Sequence, residues 1–181
     1  LNMVRISKLF LVFYFILAPL KAENINNIII NGNKRVSDET IKIYGEIDKA
    51  QTYTETSSNN ILKNLYETGF FENVEVLFEK NILTINLKEF PIINQLVIIG
   101  EKSDKFEEQI RKIINSKEKK SLNKSNLAKD ADIIKSLYSS LGYNFAKIET
   151  KLNKLDEDNY DLLFEIERGK KTKITKINFI G

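Results

Sequence analysis

The sequence of 181 residues contains no cysteine and no histidine. Without cysteine, no disulfide, thiolate nucleophile or cysteine-ligated zinc site can form. Without histidine, the usual general base and the commonest metal ligand are missing. No phosphate-binding glycine loop, nucleophile–base pair or metal-ligand set replaces them. The sequence therefore argues against an enzyme and predicts no cofactor and no catalytic or metal-binding residue.

A charge excess is also missing from most of the chain. The 28 basic and 25 acidic residues give a net charge of +3, but Arg5, Lys8 and Lys21 all lie in residues 1–22, which contain no acidic residue. The remainder has no net charge, and its acidic and basic residues are interspersed. It therefore lacks the basic surface of a nucleic-acid-binding protein. The basic cluster at 117–120 is interpreted as a solvated turn between helices.

Residues 1–22 have the features of a secretory signal peptide. Arg5 and Lys8 precede a mostly apolar run of about twelve residues, which is shorter than the roughly 20 residues that span a membrane. Ala22 suits the position before a cleavage site, although Leu20 is large for the third position before it. We expect export after cleavage, and an uncleaved membrane anchor is the alternative.

Residues 65–76 (LYETGFFENVEV) mark the centre of a repeated unit. An apolar helical stripe ends at Leu65 and Tyr66, and Gly69 stands where a left-handed residue would end the helix. The periodicity then becomes alternating, which predicts a strand. Residues 137–146 (LYSSLGYNFA) repeat this switch from helix to glycine to strand, with Gly142 in the place of Gly69. A supersecondary unit therefore occurs twice.

The predicted order in each unit is strand, helix, helix, strand, strand. The first unit has strands at 25–31, 71–79 and 82–89. Its first helix is capped by Ser37, and its second, after a polar link at 46–56, is capped by Ser57 or Ser58. The second unit has strands at 92–99, 144–152 and 160–167 and helices at 105–115 and 124–141. The fold class is α+β, with each unit a three-stranded mixed sheet and two helices packed on one face.

The unit boundaries follow from the same repeat. After residues 1–22, the first unit spans 23–91 and the second 92–170, with Pro91, one of only two prolines, at the boundary. Residues 171–181 match the opening strand of each unit and are interpreted as the first strand of a truncated third unit. A fragment and a complete product both remain open.

The hairpin after Gly69 predicts its own register. A two-residue turn at Lys80 and Asn81 pairs Val76 with Ile85 and Leu77 with Thr84, which makes every second pair fully apolar. A longer loop is the alternative, because this turn chemistry is weaker than Asn-Gly. The inner face then carries Val74, Val76 and Phe78. The outer face carries the apolar Phe71, Leu77 and Ile82, which are either scattered surface residues or a partner contact.

The ordered motifs resemble POTRA domains of BamA-type outer-membrane protein assembly factors. They are residues 30–36 (INGNKRV) with 39–41 (ETI), 65–74 (LYETGFFENV) and 88–93 (KEFPII), and then 137–138, 142–143 and 167–169 (ERG). The resemblance covers residues 23–181. It implies structural motif positions at Gly32, Leu65, Tyr66, Gly69, Phe70, Pro91, Gly100, Tyr138, Gly142 and Tyr143, with Tyr66 and Tyr138 in the core.

The resemblance implies a location on the periplasmic side of the cell outer membrane. It implies two kinds of partner, unfolded outer-membrane protein precursors and accessory lipoproteins of the assembly machinery. The family carries five such units and a transmembrane β-barrel, so membrane attachment through a barrel would lie outside this chain. The alternatives are a two-partner secretion or translocation-and-assembly transporter, and a membrane-anchored division-type POTRA protein.

Binding by β-augmentation would use edge strands, because their N–H and C=O groups are unpaired. We expect the last strand of each unit to be central and the fourth element to be an edge. The candidate partner-binding residues are Phe71, Asn73, Glu75 and Leu77 in the first unit and Phe145, Lys147 and Glu149 in the second.

Overall fold

The computed structural model describes residues 23–49, 52–173 and 176. The predicted signal peptide and most of the predicted third-unit strand lie outside the described residues. The elements are β1 (Glu23–Asn24), β2 (Asn27–Asn31), α1 (Asp38–Tyr44), β3 (Thr52–Tyr53), α2 (Glu55–Glu67), β4 (Phe71–Glu79), β5 (Ile82–Glu89), β6 (Ile92–Ile99), α3 (Asp104–Ile113), α4 (Lys124–Ser140), β7 (Lys147–Lys154) and β8 (Asn159–Glu167).

Two mixed sheets organise the described residues. The first has the order β2-β5-β4 and the second the order β6-β8-β7. In each sheet the central strand is parallel to the first strand and antiparallel to the third. The predicted fold class and the central position of the last strand of each unit are therefore confirmed.

A short antiparallel pair, β1 with β3, was not predicted. Glu23 pairs with Tyr53 and Asn24 with Thr52. β3 therefore lies in the segment 46–56, which was interpreted as a polar link. The cap of α2 differs as well, because Thr54 and not Ser57 or Ser58 holds that position. Thr54 Oγ1 accepts a hydrogen bond from Ser57 N at 3.1 Å, and Ser57 Oγ accepts one from Thr54 N at 3.3 Å. This reciprocal capping box starts the helix earlier. The predicted cap of α1 is confirmed, since Ser37 Oγ accepts from Thr40 N.

The predicted register of the first hairpin is confirmed over its length. Val76 pairs with Ile85, Leu77 with Thr84, and Glu79 with Ile82. Lys80 and Asn81 have φ values of 51° and 65°, as the two central residues of a type I′ turn require. The shorter loop therefore forms, and the alternation of apolar residues sets the inner face.

A β-bulge changes the start of β4. The register shifts between Phe71 and Asn73, so one extra residue separates Phe71 from the regular alternation. Phe71 is consequently 1% exposed and lies in the core. The prediction that its side chain faces outward is wrong, whereas Leu77 is 44% exposed as expected.

The two helix–glycine switches are offset by one residue. Leu65 lies four residues before Gly69, and Tyr138 lies four residues before Gly142; both side chains are fully buried. Tyr138 therefore replaces Leu65 in the second unit. Tyr66 and Tyr138 each follow a leucine, which suggests that they are equivalent. Tyr66, however, is 44% exposed, so the prediction that it lies in the core is wrong.

Each unit has its own hydrophobic core. The first is formed by residues that include Ile41, Leu65, Leu83 and Ile85, and the second by residues that include Ile93, Ile110, Ile134, Leu162 and Phe164. Ile113 and Leu141, at the ends of the two helices of the second unit, are exposed, and so is Phe145, which was expected in a strand. Phe145 also precedes β7, which begins at Lys147 and not at residue 144.

The buried carboxylate of Asp130 joins the two helices of the second unit. It accepts hydrogen bonds from Asn115 N at 2.6 Å, Asn115 Nδ2 at 2.8 Å and Ser116 N at 2.8 Å. These donors lie just after α3, so the side chain satisfies main-chain groups that the loop would otherwise bury unpaired. Asp130 is structural, and no pattern in the sequence singled it out.

Two glycines stand where the first strand passes close to the central strand. A Cβ at Gly32 would lie 2.0 Å from Leu87 O, and one at Gly100 would lie 2.1 Å from Ile166 O. Both residues have positive φ. Gly69 also has positive φ, at +68°, but no atom lies within 4 Å of its Cβ position. Steric exclusion therefore adds to backbone strain at Gly32 and not at Gly69.

We expect Gly32→Ala to destabilise the first unit much more than Gly69→Ala. The strain of a left-handed alanine costs about 1–2 kcal/mol, which is the full cost at Gly69. Gly32→Ala must in addition displace the main chain of β5, so its cost should be at least twice as large. Urea unfolding followed by circular dichroism measures both, and equal costs would contradict the close approach.

Candidate strand-addition edges

The two sheets present four edge strands in the described residues: β2 and β4 in the first unit, β6 and β7 in the second. An edge strand offers main-chain N–H and C=O groups to a further strand. Whether a particular edge can accept one depends on what already occupies those groups and on the side chains beside them. β2 is the shortest of the four, with five residues, and short length is one way in which proteins blunt an edge.

The edge of β6 is covered by the loop between α3 and α4. Leu122 N donates to Pro91 O at 2.7 Å, Ile93 N to Lys120 O at 2.9 Å, and Lys119 N to Ile93 O at 2.7 Å. The segment interpreted as a solvated turn thus pairs with the strand through its main chain, although its side chains are mostly exposed. No further strand can pair with β6 at these positions.

Side chains occupy the same edge further along. Glu118 Oε1 accepts from Leu96 N at 3.0 Å, and Arg111 Nη2 donates to Leu96 O at 2.7 Å. Arg111 is held in turn by Glu107, with Nη2 and Oε1 2.8 Å apart. Both main-chain groups of Leu96 are therefore engaged, and the edge of β6 is blocked at Ile93 and Leu96.

Charged side chains line β7. Lys147, Glu149 and Lys151 are exposed on one face. Lys151 Nζ lies 2.6 Å from Glu165 Oε2, and this hydrogen bond raises the pKa of Lys151 above its usual value. Lysines on an edge strand discourage pairing, because a second strand must accommodate their charge.

The free side of β4 is identified by Tyr66. Its hydroxyl accepts a hydrogen bond from Val74 N at 3.1 Å and lies 3.5 Å from Val74 O. The polar groups of Val74 therefore point away from β5. Since this direction alternates along an antiparallel strand, the N–H and C=O groups of Val76 and Phe78 point the same way.

The outer face of β4 differs from that of β7 by an exposed apolar centre. Asn73, Glu75, Leu77 and Glu79 are all exposed there. A shallow groove of about 250 Å³ runs beside Leu77. It is lined by Ile29, Leu77, Glu79, Lys80, Ile82 and Thr84. An extended partner would find apolar surface at this place.

The structure brings together some of the predicted binding residues and separates others. Asn73, Glu75 and Leu77 share one face of β4, and Lys147 and Glu149 share one face of β7. Phe71 is buried and Phe145 precedes its strand, as described above. The sequence analysis did not single out Val76 and Phe78, whose main chains face outward. The two-residue turn already implies this direction, because the pair that flanks it, Glu79 and Ile82, is hydrogen-bonded and such pairs alternate. The contact of Tyr66 with Val74 agrees with it.

The junction between the units is short and fully hydrogen-bonded. Only Phe90 and Pro91 separate β5 from β6. Phe90 N donates to Phe70 O at 2.9 Å, and Phe90 O accepts from Arg35 Nη2 at 2.6 Å. Pro91 O accepts from Leu122 N, as described above, so both carbonyls and the one N–H of the linker have partners. The motif residues Phe70 and Pro91 thus have structural roles.

Glu89 fastens the first unit at this junction. Its Oε1 accepts from the N–H groups of Lys34, Arg35 and Val36 at 2.8, 2.9 and 3.1 Å, and its Oε2 lies 2.8 Å from Arg35 Nε. Burial alone would raise the pKa of Glu89, but these N–H donors and the Arg35 charge outweigh it and hold the pKa below its usual value.

A surface ion pair links the two units. Lys34 Nζ lies 2.8 Å from Asp158 Oδ2, and both side chains are about half exposed. The hydrogen bond from Lys34 to Asp158 raises the pKa of Lys34. Such an exposed pair contributes little to stability. Within the second unit, Ile92 N donates to Asp158 O at 2.7 Å, which holds the turn that carries Asp158 against the start of β6.

Comparison with known proteins identifies the repeated unit. The family model for POTRA, surface antigen variable number repeat, matches residues 23–89 and 91–169. The chain belongs to the POTRA family. Its two matches cover the two sheets described above, so each sheet with its helices is one POTRA unit.

The curated relatives are outer membrane protein assembly factors named BamA. The chain is 31% identical over 160 residues to that of Neisseria meningitidis serogroup B, with 87% of this chain and 20% of the relative covered. It is 28% identical over 160 residues to that of Neorickettsia risticii, with 88% and 22% covered. The chain thus spans about a fifth of the length of these relatives.

A solved structure shares the fold. The N-terminal domain of Omp85 from the thermophilic cyanobacterium Thermosynechococcus elongatus superposes with a TM-score of 0.52 at 15% identity. The match covers 86% of this chain and 72% of that one. Within the residues described, no POTRA helix has both the length and the apolar character to cross a membrane. Nor does the described part of the chain bring together three or more acidic residues that could hold a metal ion.

We expect Tyr66→Phe to expose the main chain of Val74 without unfolding the first POTRA unit. The ring is retained and only the hydroxyl acceptor is lost. A hydrogen bond worth about 0.5–1.5 kcal/mol protects an amide by a factor of about 2 to 12. Hydrogen exchange followed by NMR should therefore accelerate at Val74. Tyr44→Phe is the control, and unchanged exchange in Tyr66→Phe would contradict the assigned direction of Val74.

We expect Glu89→Gln to remove stability that depends on pH. Because the folded pKa of Glu89 is lowered, the wild-type carboxylate stabilises the protein above its ordinary pKa of 4.5 and loses this effect as the pH falls through the folded pKa. Charged hydrogen bonds are worth about 1.5–3 kcal/mol, so the variant should be less stable by that order at pH 7. The difference should shrink towards pH 3.

Urea unfolding of both proteins at several pH values measures this difference. The exposed Glu108, changed to Gln, is the control for the loss of one carboxylate. A difference between wild type and Glu89→Gln that stays constant from pH 7 to pH 3 would show that the charge of Glu89 does not fasten the junction.

Proposed function

We propose that the chain is the periplasmic POTRA region of an outer-membrane β-barrel assembly factor. In this proposal it is exported through the predicted signal peptide, acts on the periplasmic side of the outer membrane, and binds rather than catalyses. The family membership and the similarity to BamA proteins support this context. Its partners would be unfolded outer-membrane protein precursors and accessory lipoproteins of the assembly machinery.

We assign the precursor-binding role to β4 of the first unit. One observation carries this assignment: the main chains of Val76 and Phe78 face away from β5 on an edge of nine residues. The edge of β6 is occupied by its own loop and by Arg111 and Glu118, and β7 is lined by lysines, as described above. Of the longer edges, β4 is therefore best suited to β-augmentation.

Strand addition fits the task of handling many different precursors. Main-chain hydrogen bonds supply affinity without requiring a particular sequence, while side chains beside the edge adjust the preference. A membrane β-strand alternates apolar and polar residues. Beside β4 the apolar face of such a strand would meet Val76 and Phe78, and its other face would lie beside Glu75, Leu77 and Glu79.

A proline at residue 76 tests this proposal. Because the N–H of Val76 points away from β5, Val76→Pro removes a donor from the free edge and leaves the ladder with β5 intact. The probe is a ten-residue peptide that alternates apolar and polar residues. In NMR titrations it should shift the amides of residues 76 and 78 in the wild type, and Val76→Pro should abolish binding.

Val76→Thr is the matched control, since it keeps the N–H and the β-branched shape. It should bind the peptide like the wild type. Equal binding by Val76→Pro, or shifts confined to another part of the chain, would exclude β4 as the site.

A further inference from the structure

We infer that β4 selects its partner by charge and takes an extended segment that reads basic–apolar–apolar–apolar–basic. The two basic residues would face Glu75 and Glu79, and the central apolar residue would face Leu77. This inference rests on the proposed strand addition at β4 and adds the chemistry of the segment that is added.

The length of the segment follows from the two ends of the free edge. At one end, the hydroxyl of Tyr66 occupies the main chain of Val74. At the other end, Lys80 begins the turn to β5 with a φ of 51°. The open stretch is therefore residues 75–79, with the outward main-chain groups at Val76 and Phe78.

The side chains on the outer face give the charge pattern. Glu75, Leu77 and Glu79 alternate along the strand and are exposed. Glu75 Oε2 accepts a hydrogen bond from Asn86 Nδ2 at 2.9 Å, and among the described contacts neither carboxylate forms an ion pair. Residues directly opposite across two strands interact, and opposite charges there are favourable. Lysine or arginine opposite each glutamate would supply the missing charge.

The other face of the open stretch is apolar. Val76 and Phe78 are half-buried at the margin of the first core. The ring of Phe78 stacks on Tyr53 with centroids 4.1 Å apart and planes at 22°. The two partner residues that flank the centre would pack here, so polar residues would be disfavoured. With Leu77 on the outer face, the three central positions are all apolar.

A second copy of this chain is a poor occupant of the same edge in the two registers that pair all of residues 75–79. Antiparallel pairing of two β4 strands about Leu77 would place Glu75 opposite Glu79 on both sides. Parallel pairing in register would place each glutamate beside its own copy. Like charges directly opposite are destabilising in both arrangements, so the glutamates that favour a basic partner also oppose self-association.

Two short peptides test the inference: acetyl-TKVLVKT-amide and its acidic counterpart acetyl-TEVLVET-amide. Their dissociation constants come from NMR titrations of the amides of residues 76 and 78. We expect the basic peptide to bind at least about tenfold more tightly at low ionic strength, since two cross-strand pairs change from attraction to repulsion. The preference should weaken markedly at about 1 M salt, where screening acts within about 3 Å.

Charge reversal on the protein provides the second arm. In the double variant Glu75→Lys and Glu79→Lys, the preference should invert in favour of the acidic peptide. Glu108→Lys on α3 changes the charge of the second unit and should leave the preference as it is in the wild type. Circular dichroism checks that each variant is folded.

The outcomes separate this inference from the proposed function. Equal affinities of both peptides at β4 would overturn the charge preference and leave strand addition standing. If neither peptide perturbs β4, or if Val76→Pro binds both unchanged, strand addition at β4 fails and the charge preference fails with it. Dimerisation through β4, seen in sedimentation as a concentration-dependent mass, would identify a second copy as the occupant and overturn the inference.

Discussion

The open main chain of the outer strands is the constraint on which the rest of this structure depends. A three-stranded sheet has two edge strands and only one strand that is paired on both sides. Its central strand is protected here by placing the last strand of each unit between the first and the third. The edges then require separate treatment. In the second unit a loop covers β6, and charged side chains line β7. In the first unit the hydroxyl of Tyr66 occupies the main chain of β4 at Val74, and the outward main-chain groups of Val76 and Phe78 stay open.

In both units a glutamate accepts N–H groups of the loop after the first strand, but the two glutamates lie at different places in the fold. In the first, Glu89 at the end of β5 accepts the N–H groups of the loop after β2, with Arg35 as the counter-charge. In the second, the acid is Glu101 in the corresponding loop, where it accepts the N–H groups of Lys102 and Ser103 and the hydroxyl of Tyr138, and Arg168 follows the last strand. In both units the accepted N–H groups belong to the loop after the first strand, so the acid can come from the central strand or from the loop itself.

Much of the fold could be predicted because alternation and turn length act together. Both strands of the first hairpin alternate, and the two-residue turn leaves one register in which the apolar faces coincide. Phe71 could not be placed in this way, because the bulge after it inserts a residue without a mark in the periodicity. The equivalence of Tyr138 and Leu65 could have been predicted, since each lies four residues before a glycine. The outer face of the candidate site was predictable from alternation, and the direction of its main chain follows from the two-residue turn, whose flanking pair is hydrogen-bonded.

The contrast between the units supports the proposed site more strongly than any one residue does. Both sheets have the same order of strands, so the topology alone would offer β4 and β7 equally. On β7 the outer face alternates lysine and glutamate, and its two lysines find partners on β8, Lys147 at Glu167 and Lys151 at Glu165. On β4 two glutamates flank Leu77 and have no such partner in the described residues. A face whose charges are already paired gains little from a further strand, while a face with unpaired carboxylates around an apolar centre gains both ion pairs and buried area. The proposed strand addition is therefore assigned to β4 of the first unit rather than to β7 of the second.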